Sequence, residues 1–206
     1  MSVETRVVSA GEEDWLPQVL RVLSAGGLVA FPTDTVYGLG ALASDEEAVA
    51  SIFRAKARPR EKSIPILVAG WSEVGGIAEP VPAAERLARA FWPGPLTIVL
   101  RRSAGLSDRL WPSGTVGVRA PNHPVTLAIL GEAGALAASS ANRSGEPSLR
   151  TAADVLTRLE GRVNLIVDGG TTPGGEPSTV VECTGDAPVL LREGPVSLDA
   201  ILAVWG

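Results

Sequence analysis

The sequence has 206 residues, a formal net charge of -5 at pH 7, 45% hydrophobic residues and 20% charged residues. Such a composition is typical of an ordinary globular protein, and a chain of this length buries about 70% of its unfolded surface on folding. A disordered or fibrous protein is excluded. The acidic balance also argues against a protein coated with basic residues for indiscriminate nucleic-acid binding, although it is compatible with a local basic groove.

The sequence contains one cysteine, Cys183, and one histidine, His123. A single cysteine excludes an internal disulfide and a cysteine-cluster metal site, and a single histidine excludes a paired-histidine zinc motif. His123 lies in a proline-containing segment typical of a turn, and no Ser-His-Asp set is evident. We expect no metal site built by the protein itself, so a metal would arrive with the substrate.

No hydrophobic run approaches the roughly 20 residues of a membrane span. The N-terminal segment also lacks the basic stretch followed by an apolar stretch that marks a secretory signal. Internal repeats and long linkers are not apparent. We therefore expect one domain over residues 1–206, placed in the cytoplasm.

Short apolar or β-branched runs alternate along the chain with helical patterns. The runs, typical of buried strands, are 5–8, 27–31, 64–68, 96–100, 116–118, 136–138, 165–167, 179–181 and 189–191. The helical patterns are 12–25, 45–55, 83–91, 125–130, 152–159 and 198–204. Some connections are too short for a crossover helix, so the pattern predicts an α/β fold with a mixed sheet flanked by helices.

Two residues have the character of helix N-caps. Ser44 precedes a run of three acidic residues, and Thr151 precedes a helical pattern with Asp154 in its first turn. Both arrangements suit the positive end of a helix dipole.

The segment FPTDTVYGLG at residues 31–40 follows an apolar run and precedes a predicted helix. Pro32 should end the strand, Thr33 and Thr35 supply hydroxyl groups, and Gly38 and Gly40 would let backbone approach a ligand closely. A simple turn with capping residues explains the same segment equally well.

Residues 54–62 contain five cations and one anion. Cations at a helix C-terminus complement its dipole, and a solvated basic run is the ordinary explanation. However, Pro59 favours an extended Arg58, and alternating residues in extended chain point the same way. Lys56 and Arg58 are therefore predicted to form a polyanion clamp in one groove.

A polar segment, residues 139–148, comes directly after the apolar run 136–138. Open α/β sheets bind ligands at the carboxyl ends of strands, although a plain Ser/Asn/Gly loop has the same composition. Arg119 and Arg192 also follow apolar runs, and arginine suits bidentate phosphate contacts. The glycine-rich residues 169–175 lack the phosphate-loop pattern and are predicted to form a lid or a tight turn.

Taken together, these motifs resemble the YrdC/TsaC family of threonylcarbamoyl-AMP synthases. The resemblance rests on FPTDTVYGLG, KAR at 56–58, FWPGPLT at 91–97, VGVRAP at 116–121, SSANRSGEPS at 139–148, PSTVV at 177–181 and LLREGP at 190–195. It covers nearly the whole chain, with the motifs in the family's order.

The resemblance implies a twisted YrdC-like sheet with a basic concave groove. It also implies a reaction in which L-threonine, bicarbonate and ATP with Mg²⁺ give threonylcarbamoyl-AMP and pyrophosphate, for the modification of tRNA adenosine. The implied catalytic residues are Lys56, Arg58, Ser140 and Asn142. The implied ATP contacts are Arg58, Lys62, Thr115, Arg119, Ser140, Ser148 and Arg192, and the implied threonine contacts are Thr35, Tyr37 and Ser178.

Some features depart from that pattern. Longer family members have an asparagine near Lys62, a histidine near Leu67 and a second domain beyond a linker. Closure over the site is therefore expected to come from this chain's own loops or not to occur. Two alternatives remain: a module that binds double-stranded RNA or tRNA, and an adenylating paralogue with another acceptor. Partners would also include the proteins that transfer the threonylcarbamoyl group onward.

Overall fold

The computed structural model describes residues 3–59, 63–174 and 176–206. The strands are β1 (Arg6–Ser9), β2 (Val29–Phe31), β3 (Gly38–Leu42), β4 (Ile66–Leu67), β5 (Leu96–Arg101), β6 (Thr115–Arg119), β7 (Leu136–Ser140), β8 (Leu165–Asp168), β9 (Thr179–Glu182) and β10 (Val189–Arg192). The α-helices are α1 (Trp15–Ser24), α2 (Glu46–Lys56), α3 (Pro82–Phe91), α4 (Pro124–Ala133), α5 (Ala152–Leu159) and α6 (Leu198–Trp205). A 3-10 helix spans Trp71–Gly76.

The ten strands form one sheet in the order β1-β8-β2-β3-β7-β4-β6-β5-β9-β10. Strand β8 runs parallel to β1 and β2, β4 to β6, and β5 to β9. The other neighbours are antiparallel. The predicted α/β fold with a mixed sheet is therefore confirmed.

Helices pack on both faces of the sheet, but they cover the second face only in part. The larger core includes Ile52 of α2, Leu87 of α3 and Ile201 of α6, whereas the smaller core includes Leu23 of α1 and Ile129 of α4. In the part of the chain that the structure describes, no helix of the second core lies over β5, β6 and β9. That uncovered area forms the floor of the cavity discussed below.

The strand that the sequence pattern missed is β3, because its two glycines lack the side chains that mark a strand. This strand pairs with β7 over its whole length and with β2 over residues 38–40. A Cβ atom at Gly40 would lie 3.0 Å from Cε1 of Phe31. Gly40 therefore makes room for a core ring and does not line the cavity described below, whereas Gly38 does. That these glycines let a ligand approach the backbone stays a prediction.

The predicted caps had different outcomes. Asp45, not Ser44, is the N-cap of α2, and its carboxylate accepts a hydrogen bond from Ala48 N at 2.9 Å. The Ser44 prediction was wrong because the helix begins one residue later than the acidic run suggested. Thr151 caps α5 as predicted, since its Oγ1 accepts from Asp154 N at 3.1 Å. His123 caps α4 through Nδ1, which fits its predicted turn position.

Candidate active site

The open part of the second face forms a cavity of about 390 Å³. Its floor consists of alternate residues of β5, β6 and β9, and loops around Thr35, Arg58 and Ser178 form its walls. The volume falls in the range of small-molecule sites, which are about 300–1,000 Å³. Predicted site residues that line the cavity are Thr35, Tyr37, Arg58, Thr115, Arg119, Ser140, Ser178 and Arg192.

The remaining predicted site residues do not line this cavity in the described structure. Lys56, the last residue of α2, lies beneath the polar loop that follows β7, and Asn142 and Ser148 are part of that loop. Lys62 lies outside the described residues. The roles predicted for all of these residues in ATP and threonine binding stay predictions.

Arg119, at the end of β6, is held by three separate hydrogen bonds. Its Nε donates to the Gly94 carbonyl at 3.0 Å, its Nη1 donates to Thr35 Oγ1 at 3.2 Å, and its Nη2 pairs with Asp34 Oδ1 at 2.5 Å. Burial lowers the pKa of this guanidinium, Asp34 partly restores it, and Arg192 lowers it further. The result is a fixed cation in the wall of the cavity.

Arg192, at the end of β10, is bound to the Ser178 segment. Its Nε and Nη2 donate to the Ser178 carbonyl at 3.0 and 2.7 Å, and Nη2 also lies 3.1 Å from Ser178 Oγ. The hydroxyl groups of Ser178 and Thr97 are 2.8 Å apart. A predicted ATP residue and a predicted threonine residue are thus directly connected.

Arg58 reaches the cavity from the loop after α2, where its Nη2 donates to the Ser63 carbonyl at 2.9 Å. Burial, and then the charge of Arg192, lower the pKa of its guanidinium. Because the pKa values of Arg58, Arg119 and Arg192 are all lowered by burial, their positive charges are incompletely solvated. An anion bound among them would offset the free-energy cost of burying these charges.

Lys56 corrects the prediction of a clamp with two cations pointing the same way. Helix α2 continues through Lys56 and ends at Ala57, which adopts the left-handed conformation at φ 49° and ψ 43°. The Lys56 side chain is 1% exposed, and its Nζ donates to the carbonyls of Ser140 and Asn142. The prediction was wrong because it assumed extended chain where the helix persists.

The amine of Lys56 therefore organises the loop after β7 from below. Burial, and then the charge of Arg58, lower the pKa of this amine to about 7. The same loop is fixed by Ser144 N, which donates to the Lys56 carbonyl at 2.9 Å. Asn142 Nδ2 donates to the carbonyls of Arg143 and Glu146 at 2.9 and 2.6 Å.

The hydroxyl groups of Thr33 and Thr35 belong to one set of hydrogen bonds. Thr33 Oγ1 donates to the Val36 carbonyl at 2.7 Å, accepts from the backbone N–H groups of Thr35 and Val36, each at 3.2 Å, and lies 3.0 Å from Thr35 Oγ1. Thr35 Oγ1 accepts from Arg119 Nη1. A hydroxyl oxygen has two lone pairs, so Thr35 Oγ1 can also accept a hydrogen bond from a ligand.

Tyr37 connects β3 to the glycine-rich segment after β8. Its hydroxyl donates to the Gly170 carbonyl at 2.8 Å and accepts from Gly169 N at 3.3 Å. Burial raises the pKa of this phenol. Farther along, Gly174 N donates to the Thr35 carbonyl at 2.9 Å, so this segment is attached to the cavity wall at two points.

Replacing Tyr37 with phenylalanine is expected to lower the free energy of unfolding by about 1–2 kcal/mol, because the Gly170 carbonyl loses its donor. Urea unfolding followed by circular dichroism measures this change. An unchanged midpoint with an unchanged slope would show that the phenol does not hold the segment.

Two residues of the site had no role assigned from the sequence. Thr97 lies inside an apolar strand run, where only its position alternate to the core residues Leu96 and Ile98 signals a polar group facing the cavity. Asp34 lies within the FPTDTVYGLG motif, but its partner Arg119 is 85 positions away. A local sequence pattern does not show which distant residues form an ion pair.

Within residues 3–59, 63–174 and 176–206, no group of three or more His, Cys, Asp or Glu side chains could hold a metal ion. The same part of the chain contains no helix both long and apolar enough to cross a membrane.

Comparison with known proteins identifies the family. The Sua5/YciO/YrdC model, which carries the description telomere recombination, matches residues 21–194. The chain belongs to the Sua5/YciO/YrdC family. The resemblance seen in the sequence motifs is therefore confirmed.

Among Sua5/YciO/YrdC relatives, the chain is 43% identical to the threonylcarbamoyl-AMP synthase of Bacillus subtilis, over 93% of its own length and 56% of that protein. It is 42% identical to a putative threonylcarbamoyl-AMP synthase of Mycobacterium tuberculosis, over 89% of its length and 86% of that protein. The chain thus spans little more than half of the first relative and most of the second.

Solved structures of Sua5/YciO/YrdC proteins have the same fold. Sua5 of Pyrococcus abyssi complexed with L-threonine superposes with a TM-score of 0.90 at 41% identity, over 98% of this chain and 61% of that one. YciO of E. coli superposes with a TM-score of 0.87 at 26% identity, over 97% of this chain and 99% of that one.

Proposed function

We propose that this protein is an L-threonylcarbamoyladenylate synthase, a nucleotidyltransferase that converts L-threonine, bicarbonate and ATP into threonylcarbamoyl-AMP and pyrophosphate. The observation that carries the proposal is one cavity in which three arginines meet the hydroxyl groups of Thr35 and Ser178. Relatives named threonylcarbamoyl-AMP synthase support it. The product would supply tRNA adenosine modification in the cytoplasm, through proteins that transfer the threonylcarbamoyl group.

The cations of the cavity suit a triphosphate. Arg58, Arg119 and Arg192 line it, and a hydrogen bond between a guanidinium and a phosphate contributes about 1.5–3 kcal/mol. No aspartate or glutamate is among the described residues that line the cavity. Mg²⁺ would therefore enter as part of the MgATP substrate, held by the phosphates.

The hydroxyl groups suit an amino acid. Thr35 can accept a hydrogen bond from an amine, and Ser178 lies beside Arg192, which could also face a carboxylate. A Pyrococcus abyssi relative is known complexed with L-threonine, which supports placing that substrate here.

The chemistry needs positioning more than a protein nucleophile. Bicarbonate takes up a proton and loses water to give carbon dioxide. The threonine amine adds to this carbon dioxide and loses a proton, which gives a carbamate. A carbamate oxygen then forms a bond to the α-phosphorus of ATP, and the bond from that phosphorus to pyrophosphate breaks. Fixed guanidinium groups would neutralise the charge that develops on the phosphates, and holding both reactants in one cavity removes much of the entropic cost.

A paralogue that adenylates another acceptor is the second candidate. The observation that favours it is that the three arginines of the cavity would bind the nucleotide whatever the acceptor is. The two candidates share the arginines and differ in the acceptor, so one assay separates them.

Purified protein with MgATP and bicarbonate should release pyrophosphate only when L-threonine is present. Serine, other amino acids and omission of bicarbonate are the matched controls. ATP binding without turnover on threonine would favour the paralogue. Failure to bind ATP would contradict both and favour the module that binds tRNA or double-stranded RNA.

A further inference from the structure

We propose that Asp34 is a positioning residue of this site: it fixes Arg119, and through Arg119 it fixes the position from which the Thr35 hydroxyl oxygen accepts a hydrogen bond from the substrate amine. The proposal rests on the proposed function for the identity of the substrate. It rests on the contacts of the described residues for everything else.

Asp34 lies behind the cavity rather than in it. Its side chain is 13% exposed, and it borders a neighbouring recess near Pro93 and Asn122, not the cavity that Arg119 lines. Asp34 would therefore not touch a substrate in that cavity. Any effect on the reaction must pass through the groups that it holds.

The pairing with Asp34 decides how Arg119 is oriented. The Arg119 guanidinium is 8% exposed and uses Nε on the Gly94 carbonyl and Nη1 on Thr35. Nη2 donates to the Asp34 carboxylate on the remaining side, so each of the three guanidinium nitrogens contacts a different partner. A planar guanidinium bound in this way cannot rotate without breaking contacts.

The effect continues to Thr35. Arg119 Nη1 donates to Thr35 Oγ1, so the guanidinium holds that oxygen in its position at the cavity wall. Without a positioned Arg119, the Thr35 side chain would lose this contact and could rotate about its Cα–Cβ bond. Its oxygen would then no longer be held where it accepts from an N–H group of the substrate.

Asp34 also balances charge. Three arginines line the cavity, and Asp34 is the carboxylate paired with one of them. If its role were electrostatic alone, its neutralisation would raise the local positive potential and tighten ATP binding. A positioning role predicts a different result, with the loss on the amino-acid side.

The test uses Asp34→Asn, which keeps the shape and removes the charge, and Asp34→Ala as a second variant. We expect D34N to weaken threonine affinity by about 10-fold, as loss of one charge-assisted contact would, while ATP affinity changes by less than about 3-fold. Isothermal titration calorimetry measures both. In the Thr35→Val background, D34N should have less than about a 2-fold further effect on threonine, because the two act in series.

A second readout does not depend on threonine or on activity. The Arg119 Nε–H signal, identified in ¹⁵N spectra by its absence from R119K, should exchange with water about 10-fold faster in D34N and D34A than in the wild type, because its guanidinium is no longer fixed. Unchanged exchange in folded D34N would overturn the proposal. Independent, multiplicative effects of D34N and T35V on threonine affinity would overturn it as well.

The two readouts separate this proposal from the function itself. If the wild type neither binds threonine nor releases pyrophosphate with it, the proposed function fails, and the Nε–H exchange still decides whether Asp34 positions Arg119. If the wild type turns over and D34N behaves like it in both readouts, the function stands and the positioning role fails.

Discussion

Replacing Lys56 with methionine is expected to lower kcat/KM for ATP by about 100-fold, the size of loss that follows a misplacement of about 1 Å in an active site. The amine holds the carbonyls of Ser140 and Asn142, and Ser140 lines the cavity. Methionine has a similar length but no donor. Both carbonyls would lose their partner, and the loop after β7 would move.

Pyrophosphate release and the free energy of unfolding should be measured on the same preparation of K56M. A folded variant with full activity would contradict the role of Lys56 in organising the loop. If K56M binds ATP normally but turns over slowly, the loss of activity is due to a displaced Ser140 rather than to the missing charge of Lys56.

Lys56 also predicts a dependence of stability on pH. Its pKa is lowered from 10.5 to about 7 in the folded protein, first by burial and then by Arg58. Between those two values the unfolded chain binds more protons, so the wild type gains stability relative to K56M as pH rises, by up to about 1.4 kcal/mol per pH unit. Below pH 7 the difference should be constant.

The titration itself can be observed directly, because Lys56 and Lys62 are the two lysines of the sequence. With ¹³C-labelled lysine, one Cε signal should titrate with a midpoint of about 7, and that signal should be missing in K56M. A Lys56 signal that titrates near its ordinary value would contradict the burial argument.

Replacing Arg58 with alanine is the second large effect that we expect, a loss of ATP affinity of about 10- to 100-fold. Arg58 lines the cavity with a guanidinium whose pKa is lowered by burial and by Arg192. Removing its contact with a phosphate should cost about 1.5–3 kcal/mol, which corresponds to that range. Calorimetry with MgATP measures it.

Arg54→Ala is the matched control for Arg58→Ala. Arg54 lies on the exposed side of α2 and donates to Ser51 Oγ, so its removal changes the net charge by the same amount without touching the cavity. We expect R54A to change ATP affinity by less than about 2-fold, because exposed charges are well screened. If R54A and R58A lowered ATP affinity equally, Arg58 would act only through the net charge of the protein and not through a contact with ATP.

Much of the fold could be predicted because it depends on local pattern. Each predicted strand run overlaps an observed strand, and each helical pattern overlaps an observed helix. The exceptions have local causes as well. Strand β3 contains Gly38 and Gly40 in place of the branched residues that mark a strand, and Ser44 stands one residue before the true cap, Asp45.

The site was predictable in membership but not in arrangement. The motifs placed Arg58, Arg119, Ser140 and Arg192 at the site, and all four line one cavity. Lys56 was assigned to the same surface, yet it lies underneath. Whether helix α2 ends before or after Lys56 decides which way its amine points, and that depends on the left-handed conformation of Ala57.

By itself the sequence determined the fold class, the family and the types of residue available to the site, since these follow from hydrophobic period, motif order and composition. Only the tertiary structure decided which side chains meet. Asp34 and Arg119 are 85 positions apart, and Lys56 and Ser140 are 84 apart. Such pairs form when the sheet brings the end of β6 beside the segment that precedes β3, and the end of β7 beside the last residue of α2. Their geometry therefore depends on strand order, which local pattern does not specify.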